Sequence, residues 1–483
     1  MKRSLLERVN MPHVFVLLTG AILLCSALTY VLPSGEYERE TIVVDHHERT
    51  VVRAGTYQAI PKKISVRGAL IGDPQEGFAS PVSVTGFLSA IPRGMERSAG
   101  IIFFIFIIGG VLGILQRAGV IAAFLHALLD RLGHRADLLT AALMIAVGIG
   151  GSTLGMGEEF IPLVPIFLLV AKELGYDRIY GMAIVYVGAT VGFAAATTNP
   201  FTVNIANGIA ELPPNNGIPF RLVFFACCMT VTIAYVLRYG RKLRRDPSAS
   251  LMADDEFDLS GQSIDRVELH RSHTLIMIIC GVIFAGILVA VELWGWWLAE
   301  MAGGFLLMGM VTIALSRMPL SDAAAAFVKG MEEMVVAAMV VGFDRGIEVV
   351  LADGQILDTL VHSAATVLQQ FPKTVAAEGM LVFQSTLNLV IPSGSGQAAV
   401  TMPLMTPLAD VLGIARQTAV FAFTCGDGFS NSVIPTSGIL MAMLGLARIP
   451  YTTWLRFMLP LFGWMILMSA VFLMVSVLVP AVW

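Results

Sequence analysis

Apolar runs of 18 or more residues recur along most of this 483-residue chain. A run of that length with few charges is typical of a helix that crosses a bilayer, whose hydrocarbon core is about 30 Å thick. The composition agrees, because 56% of the residues are apolar and only 14% carry a formal charge. Soluble domains are roughly a quarter charged. The sequence therefore predicts an all-α, polytopic membrane protein and excludes a soluble globular one.

The charges, cysteines and histidines argue against several classes of function. A net charge of −4 leaves no basic excess, so we expect no nucleic-acid partner. All five cysteines lie inside apolar segments, which argues against a disulfide framework and against a zinc site. The eight histidines fall in loops, at helix ends or on short interfacial helices, which argues against a metalloenzyme and a Ser–His hydrolase. We expect a protein that is not an enzyme and uses no cofactor other than a coupling ion.

Nine segments are long and apolar enough to be predicted as membrane crossings. They cover residues 13–32, 99–116, 178–209, 218–238, 273–294, 296–317, 322–351, 416–447 and 454–481. Lysine and arginine residues precede the first of these helices and follow the fourth, which places both positions in the cytoplasm by the positive-inside rule. With nine crossings, the N-terminus would be cytoplasmic and the C-terminus outside, in a bacterial-type inner membrane whose lipid bilayer is a partner.

Polar stretches divide the chain into regions. After a first membrane helix within residues 1–32, residues 33–98 are predicted to form an outer polar loop rich in β-branched and charged residues, which could hold a small hairpin. Residues 240–272 are predicted to be a cytoplasmic linker between two halves, followed by a connecting helix at 273–295. The two halves cover residues 99–239 and 296–483.

Two segments do not fit simple crossings. Residues 137–175 and 376–413 each hold two apolar stretches of about 15 residues, separated by a cluster of glycine and serine. At 1.5 Å per residue, about 15 residues cannot span a core of about 30 Å. Each segment is therefore predicted to be a re-entrant helical hairpin, which turns at mid-membrane and leaves on the side from which it entered.

The second half repeats the first with an offset of 235–239 residues. The matched strings keep the same order, for example RGME at 93–96 with KGME at 329–332, and GMGE at 155–158 with GSGQ at 394–397. The predicted crossings give helix 99–116 and its mate 322–351 opposite directions, so the two copies are inverted. Inverted repeats are typical of alternating-access transporters, whose site lies at the repeat interface near the midplane. The first hairpin would then open from the cytoplasm and the second from outside.

A helix interrupted by proline and polar residues follows each hairpin. The interruptions lie within helices 178–209 and 416–447, at Pro200 and Pro435. Non-helical backbone at membrane depth persists only where protein or a water-filled cavity satisfies it, so both breaks are expected to line a cavity. The freed carbonyl groups and the side-chain oxygens there suit Na⁺, and exposed helix N-termini favour carboxylates. The alternative is a proline kink repaired by neighbouring hydroxyl groups.

The two hairpin tips differ in charge. Tip two, PSGSGQAAV, is neutral, and the backbone N–H groups of Gly394, Ser395 and Gly396 make a candidate anion site at a helix start. Tip one, GSTLGMGEEF, places Glu158 and Glu159 at the same kind of position. These carboxylates either compensate the helix dipole or meet a cation, namely Na⁺, H⁺ or a substrate ammonium, because acids at membrane depth are costly.

Two further groups of charges lie inside predicted crossings. Asp427, in the second break, is predicted to coordinate a cation or to couple to protons, with a capping or structural hydrogen bond as the alternative. Asp344, Arg345 and Glu348 are spaced so that they can pair with one another on one helix, near its outer end. That spacing favours a structural role for these three residues.

The strings GMGEE, NPF, PSGSGQAA, TMPL, GDGFSN and PTSG resemble the YfcC-like branch of the anaerobic four-carbon dicarboxylate carrier (DcuC-type) family, within the ion transporter superfamily. The resemblance runs over essentially the whole chain. It implies a scaffold domain, a transport domain with two opposed hairpins, elevator-like movement and often a homodimer. Superfamily tips carry Ser-Asn-Thr signatures that help bind Na⁺ and a substrate carboxylate, whereas the tips here read differently. Members of this branch have been proposed to carry basic amino acids.

These patterns predict a secondary transporter of small organic anions or amino acids, coupled to Na⁺ or H⁺ or working as an exchanger, with a basic amino acid antiporter as the alternative. A sensor or scaffold is a rival class and a channel a weaker one, although a 33-residue linker is short for a signalling domain. The candidate substrate-binding residues are Ser152, Thr153, Glu158, Asn199, Ser393, Gly394, Ser395, Gly396, Gln397, Asn431 and Thr436. The candidate cation-binding residues are Glu158, Glu159, Thr198, Asn199, Asp427, Ser430 and Ser437, with Na⁺ at the hairpin tips as the candidate metal.

Overall fold

The computed structural model describes residues 14–44, 47–73, 75–132, 135–213, 216–252, 270–294 and 296–483. Within these ranges the protein is mostly helical. The first eleven α-helices are α1 (Val14–Val31), α2 (Val66–Ile71), α3 (Val84–Arg97), α4 (Ala99–Arg117), α5 (Val120–Leu132), α6 (Ala136–Ile149), α7 (Val164–Glu173), α8 (Arg178–Met182), α9 (Gly188–Ala194), α10 (Ile205–Ile209) and α11 (Ile218–Arg245). The others are α12 (Arg271–Trp294), α13 (Leu298–Ser316), α14 (Leu320–Glu333), α15 (Val335–Asp353), α16 (Leu357–Leu368), α17 (Lys373–Leu387), α18 (Gly394–Leu412), α19 (Arg416–Ser430), α20 (Gly438–Ala447) and α21 (Tyr451–Leu478).

Short helical turns of other types join several of these helices. The π-helical turns are Gly150–Leu154, Ala183–Val187 and Pro200–Asn204. The 3₁₀ turns are Glu158–Leu163, Pro247–Ala249 and Pro480–Val482. Because the first two π turns continue α6 and α8 without a change of direction in the helical backbone, they lengthen those helices rather than end them.

Seven helices in the described ranges are long and apolar enough to cross a membrane, judged by length and composition. They are Val14–Val31, Ala99–Arg117, Ala136–Leu154, Ile218–Arg245, Arg271–Val291, Leu298–Ser316 and Tyr451–Leu478. Six of these match predicted crossings. The predicted crossings 178–209 and 416–447 are interrupted, as their proline residues indicated.

The predicted single helix at 322–351 was wrong. It is two helices, α14 and α15, which meet at Met334, whose backbone N–H bonds to the carbonyl of Met331 instead of continuing the α-helical pattern. The physical reason is tertiary packing next to this junction. A Cβ on Gly330 would overlap the carbonyl oxygen of Gly109, so the two backbones meet directly and fix the end of α14.

The first arm of segment 137–175 is longer than predicted. α6 and its π turn form one apolar helix of 19 residues, Ala136–Leu154. The first part of the glycine cluster that we interpreted as a break, residues 148–151, lies inside this helix and lets α9 approach it, whereas Gly155 and Gly157 follow its end. A Cβ on Gly151 would overlap the carbonyl oxygen of Ala189, and a Cβ on Gly192 would overlap that of Gly148.

Residues 33–98 are not a loop throughout. Strands β1 (Ser34–Glu36) and β4 (Gln58–Ile60) form one antiparallel pair, and β2 (Arg39–Val44) and β3 (His47–Val52) form another, in which Arg39 faces Val52. The helix α3 follows, and its N-cap Ser83 accepts a hydrogen bond from the N–H of Gly86 at 3.0 Å. Counting apolar residues missed α3 because this helix is amphipathic.

Two consecutive helices recur with equal lengths, once at residues 84–117, across the start of the first half, and once at residues 320–353, in the second half. α3 and α14 have 14 residues each, and α4 and α15 have 19 each. The pairs pack crosswise, α3 on α15 and α4 on α14. Glycine lies at both crossings, because a Cβ on Gly94 would be 2.6 Å from the backbone nitrogen of Gly346, while Gly330 meets Gly109. These four helices, here called the frame, are therefore in backbone contact.

The strand lobe, residues 34–60, connects two distant parts of the chain. The backbone N–H of Tyr37 donates to Asp358 of α16 at 2.9 Å, and the Tyr37 hydroxyl lies 2.8 Å from Nδ1 of His362. The Tyr57 ring stacks on the His362 ring with 4.0 Å between centroids. Just after the lobe, Lys62 donates to carbonyl oxygens at the end of α1. The lobe and its flank thus join α1 to α16.

Candidate functional site

A cavity of about 250 Å³ lies where both predicted hairpin tips and both helix breaks meet. Tip one contributes residues 154–159, and tip two contributes residues 392–395. The walls are completed by α15 and by an aromatic surface that includes Phe284 of α12, Phe305 of α13 and Trp297, the residue that caps the start of α13. The Phe201 ring beside the first break packs against Trp297 with 4.8 Å between ring centroids. Parts of both halves of the chain therefore share one cavity.

Tip one is held by a left-handed glycine and a 3₁₀ turn. Gly155 has φ of 67°, and a Cβ there would overlap Oδ1 of Asn199, so only glycine fits without strain. In the turn that follows, Oε2 of Glu159 accepts a hydrogen bond from the N–H of Gly157 at 2.8 Å. Glu158 lines the cavity and interacts electrostatically with Arg345. The two adjacent glutamates therefore differ. The carboxylate of Glu159 is hydrogen-bonded within tip one, whereas that of Glu158 interacts with Arg345 of α15.

The first break is joined to tip one by hydrogen bonds. The backbone N–H groups of Thr197 and Thr198 donate to the carbonyl oxygen of Ser152 at 3.0 and 3.2 Å. The side-chain Oδ1 of Asn199 accepts from the N–H of Phe201 at 2.8 Å and begins the turn that contains Pro200. These polar groups are used to hold the unwound backbone.

Tip two begins α18. The N-cap is Ser393, whose hydroxyl accepts from the N–H of Gly396 at 3.4 Å. Ser393, Gly394 and Ser395 line the cavity. Gln397 is fully buried and turns away, because its Nε2 donates to the side-chain oxygen of Gln384 at 2.6 Å. The part of tip two that a solute can reach is therefore small, neutral and rich in backbone N–H groups.

The second break lies behind tip two. The side-chain amide of Asn388 donates to the carbonyl oxygen of Asp427, to Oγ of Ser430 and to Oδ1 of Asn431, at 2.8, 2.8 and 2.9 Å. Both carboxylate oxygens of Asp427 are buried without a hydrogen-bond partner among the described residues. Oδ2 of Asp427 lies 3.1 Å from where a Cβ on Gly394 would be. This carboxylate is next to tip two but outside the cavity lining.

Two lining residues were assigned a structural role from the sequence. Arg345 pairs with Glu348 at 2.6 Å, as its helical spacing predicted. Asp344 interacts electrostatically with Arg345, but it also lines the cavity, accepts a hydrogen bond from the backbone of Gly438, and leaves Oδ1 buried without a hydrogen-bond partner in the described part of the chain. The structural role of Asp344 stays a prediction, and its place in the lining makes it a further candidate site residue. The signal was present, since a charged pair inside an apolar helix is costly unless it has a function.

The structure brings some of the predicted site residues into one cavity and separates the rest. Those that line it are Glu158, Glu159, Ser393, Gly394, Ser395, Asn431 and Ser437. Those that lie in the surrounding protein are Ser152, Thr153, Thr198, Asn199, Gly396, Gln397, Asp427, Ser430 and Thr436, with both helix-break prolines, Pro200 and Pro435. The sequence did not point to Tyr186, whose hydroxyl donates to the carbonyl of Asn431 at 2.8 Å.

The charges of the lining are unequal. Three carboxylates, those of Glu158, Glu159 and Asp344, face one guanidinium, that of Arg345, so the formal sum is −2. Among the described residues, no group of three or more His, Cys, Asp or Glu side chains could hold a metal ion. The cavity can thus bind a small solute that brings positive charge to the acids and a carboxylate to the N–H groups of tip two.

Comparisons with known proteins extend over nearly the whole chain. The profile of the family described as "C4-dicarboxylate anaerobic carrier" (DcuC) matches residues 11–478. A protein of Escherichia coli (strain K12) named "Putative basic amino acid antiporter YfcC" is 31% identical over 490 residues, covering 96% of each chain. An uncharacterized protein of Haemophilus influenzae is 29% identical over 495 residues, covering 97% of each chain.

Two solved transporter structures also resemble the chain at low similarity. The Alcanivorax borkumensis YdaH transporter is 18% identical with a TM-score of 0.44, covering 96% of this chain and 98% of that one. Neisseria gonorrhoeae MtrF is 17% identical with a TM-score of 0.45, covering 97% and 96%. The family match and the apolar helices lead to one conclusion. The chain is a multi-pass membrane protein that belongs to the C4-dicarboxylate anaerobic carrier (DcuC) family of transporters.

Proposed function

We propose that this protein is a secondary transporter of amino acids and that it prefers basic amino acids to dicarboxylates. The observation that carries the proposal is the charge of the cavity, in which three carboxylates face one guanidinium. A basic amino acid has one carboxylate, for the N–H groups of tip two, and two cationic groups, for Glu158 and Asp344. Its net charge of about +1 at neutral pH would offset part of the excess negative charge.

A dicarboxylate would be repelled by the carboxylates of the same cavity. Two like charges 4 Å apart repel by about 4 kcal/mol at an effective dielectric constant of 20, which corresponds to nearly three orders of magnitude in affinity. Among the described residues that line the cavity, Arg345 is the one cation, and it already pairs with Glu348. The name of the Escherichia coli relative supports the amino acid, whereas the family's own name refers to dicarboxylates. The charge of the cavity favours the amino acid over the dicarboxylate.

The proposal includes a coupling cation at the second break. Asp427 offers two buried carboxylate oxygens without partners, and Oδ1 of Asn388 is likewise unpartnered among the described residues. Such oxygens suit Na⁺, and a buried carboxylate alternatively takes up H⁺. Because Asp427 adjoins Gly394 of tip two, a cation there would stabilise the tip that receives the substrate carboxylate.

The architecture we propose is that of an elevator-type transporter with two inverted repeats. The equal lengths and crosswise packing of the frame helices support a repeat, with α3 and α4 in one copy and α14 and α15 in the other. In this proposal the frame belongs to the scaffold, the hairpins with the broken helices form the transport domain, and two copies form a dimer in the inner membrane. The N-terminus would face the cytoplasm.

Counterflow in proteoliposomes tests the function. Vesicles loaded with unlabelled arginine are diluted into labelled arginine, and the same is done with succinate; a carrier of basic amino acids accumulates label only in the first case. The variant Glu158→Gln is expected to reduce uptake at least tenfold, because a charged hydrogen bond is lost. Glu211→Gln is the matched control, since its carboxylate is exposed and pairs with Arg416 outside the cavity lining. Accumulation of succinate but not arginine would refute the proposal.

A further inference from the structure

Two arginines, Arg178 and Arg221, are buried in the described residues, and Arg221 lies beside the first break. Arg221, in α11, is 2% exposed, and no carboxylate of the described residues lies within ion-pair distance of it. Its Nη1 donates to the carbonyl oxygen of Ala196 at 3.4 Å and to Oγ1 of Thr424 at 3.3 Å. Its guanidinium lies 5.9 Å from the ring centroids of both Phe421 and Trp483. A buried charge without a counter-ion requires an explanation.

The position of Ala196 explains why the charge of Arg221 is buried. The helical stretch Arg178–Ala194 ends just before it, so the carbonyl groups at 195 and 196 lie at a helix C-terminus, where the helix dipole is negative. In a membrane protein these carbonyls need donors from the protein itself. The hydroxyl of Ser152 reaches the carbonyl of Ala195 at 3.3 Å, and Arg221 reaches that of Ala196. The guanidinium therefore provides both a donor and a positive charge at this end.

The second break is built with the opposite charge. Its carbonyl group at Asp427 receives a neutral amide, from Asn388, and the break contains an unpartnered carboxylate. Arg221 also reaches the helix that leads into the second break, at Thr424, but within the described residues no hydrogen bond joins a lysine or arginine to residues 427–437. The two breaks thus differ, since a cationic side chain of α11 contacts the unwound backbone of the first, whereas the second carries an unpartnered carboxylate.

We propose that Arg221 is a positioning residue that acts as a built-in cation for the first break. It fixes the unwound backbone at Ala196 and, through the bonds between Thr197 and Ser152, keeps tip one in its place on the cavity. The first break then needs no inorganic ion. This role concerns the break itself and holds whichever solute the protein carries, so it can succeed or fail independently of the proposed function.

The test compares Arg221→Lys with Arg221→Met in the purified full-length protein. Lysine keeps the charge, whereas methionine is an unbranched, flexible side chain that keeps the apolar stem of arginine but is neutral. Hydrogen exchange measured by mass spectrometry reports on the amides of Thr197 and Thr198, which donate to Ser152. We expect exchange there to rise about tenfold or more in the methionine variant, since a charged hydrogen bond is lost, and by much less in the lysine variant. Exchange in α13 is the internal control.

The same measurements can overturn the proposal. If Arg221 only packs against Phe421 and Trp483, the apolar methionine variant will exchange no faster than the lysine variant, and the role of charge is refuted. A second experiment uses Arg221→Ala with millimolar guanidinium chloride or urea. Guanidinium, but not the uncharged urea of similar shape, is expected to restore slow exchange at Thr197; restoration by both or by neither contradicts the proposal.

Discussion

The side-chain amide of Asn388 holds the backbone carbonyl of Asp427 at 2.8 Å, while the carboxylate of the same aspartate has no partner among the described residues. The carbonyl group of Asp427 is therefore satisfied without the charge of its side chain. The unpartnered carboxylate supports the cation site that we propose there.

The variant Asp427→Asn is predicted to abolish the cation response of the protein. In the wild type, Na⁺ is expected to raise Tm relative to choline at equal ionic strength, because an ion that binds the native state stabilises it. The amide keeps the shape of the side chain but not its charge, so the Na⁺ effect should disappear. Asp410→Asn, at an exposed aspartate paired with Arg416, is the matched control. A Na⁺ effect that persists in Asp427→Asn would contradict the site.

Asp344→Asn is predicted to weaken binding of basic amino acids about tenfold or more, because the loss of one charge removes a charge-assisted hydrogen bond. Isothermal titration of the purified protein with arginine measures this. The control is Asp353→Asn, on the same helix, where the carboxylate bonds to Arg93 at 3.0 Å away from the cavity lining. Equal affinities in the two variants would show that Asp344 does not contact the solute.

Gly330→Ala is predicted to destabilise the protein by about 1–3 kcal/mol, since the new methyl group would overlap the carbonyl oxygen of Gly109 and force the frame apart. The drop in Tm is measured by thermal unfolding in detergent. Gly303→Ala, in α13, is the control because a Cβ there meets nothing within 4 Å. If both variants unfold at the same temperature, the frame does not depend on backbone contact.

The strand lobe is predicted to lose stability in alkali. Burial, the Asp358 carboxylate and Tyr57 together raise the pKa of Tyr37 to about 12 from its usual value near 10. A raised pKa means that the folded state favours the neutral phenol, so its contribution is complete below pH 10 and is lost as the pH rises from about 10 through 12. Tm should fall less steeply over this window in Tyr37→Phe than in the wild type. Identical pH profiles would refute the contribution of Tyr37.

The long helices could be predicted from the sequence because bilayer thickness alone fixes the length of an apolar run. The tips could be predicted in part, since Gly394 and Glu158 stand out chemically before any fold is known, and both line the cavity. Asn199 could not be placed in the same way. The side chains of Asn199 and its neighbours hold the unwound backbone. In the sequence alone, a polar residue in a helix break cannot be assigned to ligand binding or to backbone hydrogen bonding, because both roles use the same residue types.

Two other features depend on contacts between distant segments. The junction at Met334 cannot be found by counting apolar residues, because it follows from a glycine of α4 meeting a glycine of α14. Arg221 was counted within an apolar crossing, where its charge was the visible signal. Its significance appears only once α11 is placed beside the end of α9, next to Ala196.

The backbone contact within the frame assigns different tasks to the two sides of the cavity. Asp344 and Arg345 lie on α15, a frame helix whose backbone contacts that of α3 at a glycine crossing. The opposite side is made of short, glycine-rich tips that lack α-helical geometry at residues 155–163. The charged residues of α15 would therefore select solutes by charge while the helix stays in place. The hairpin tips would change conformation when a solute binds. Selection and movement would then be separable by mutation.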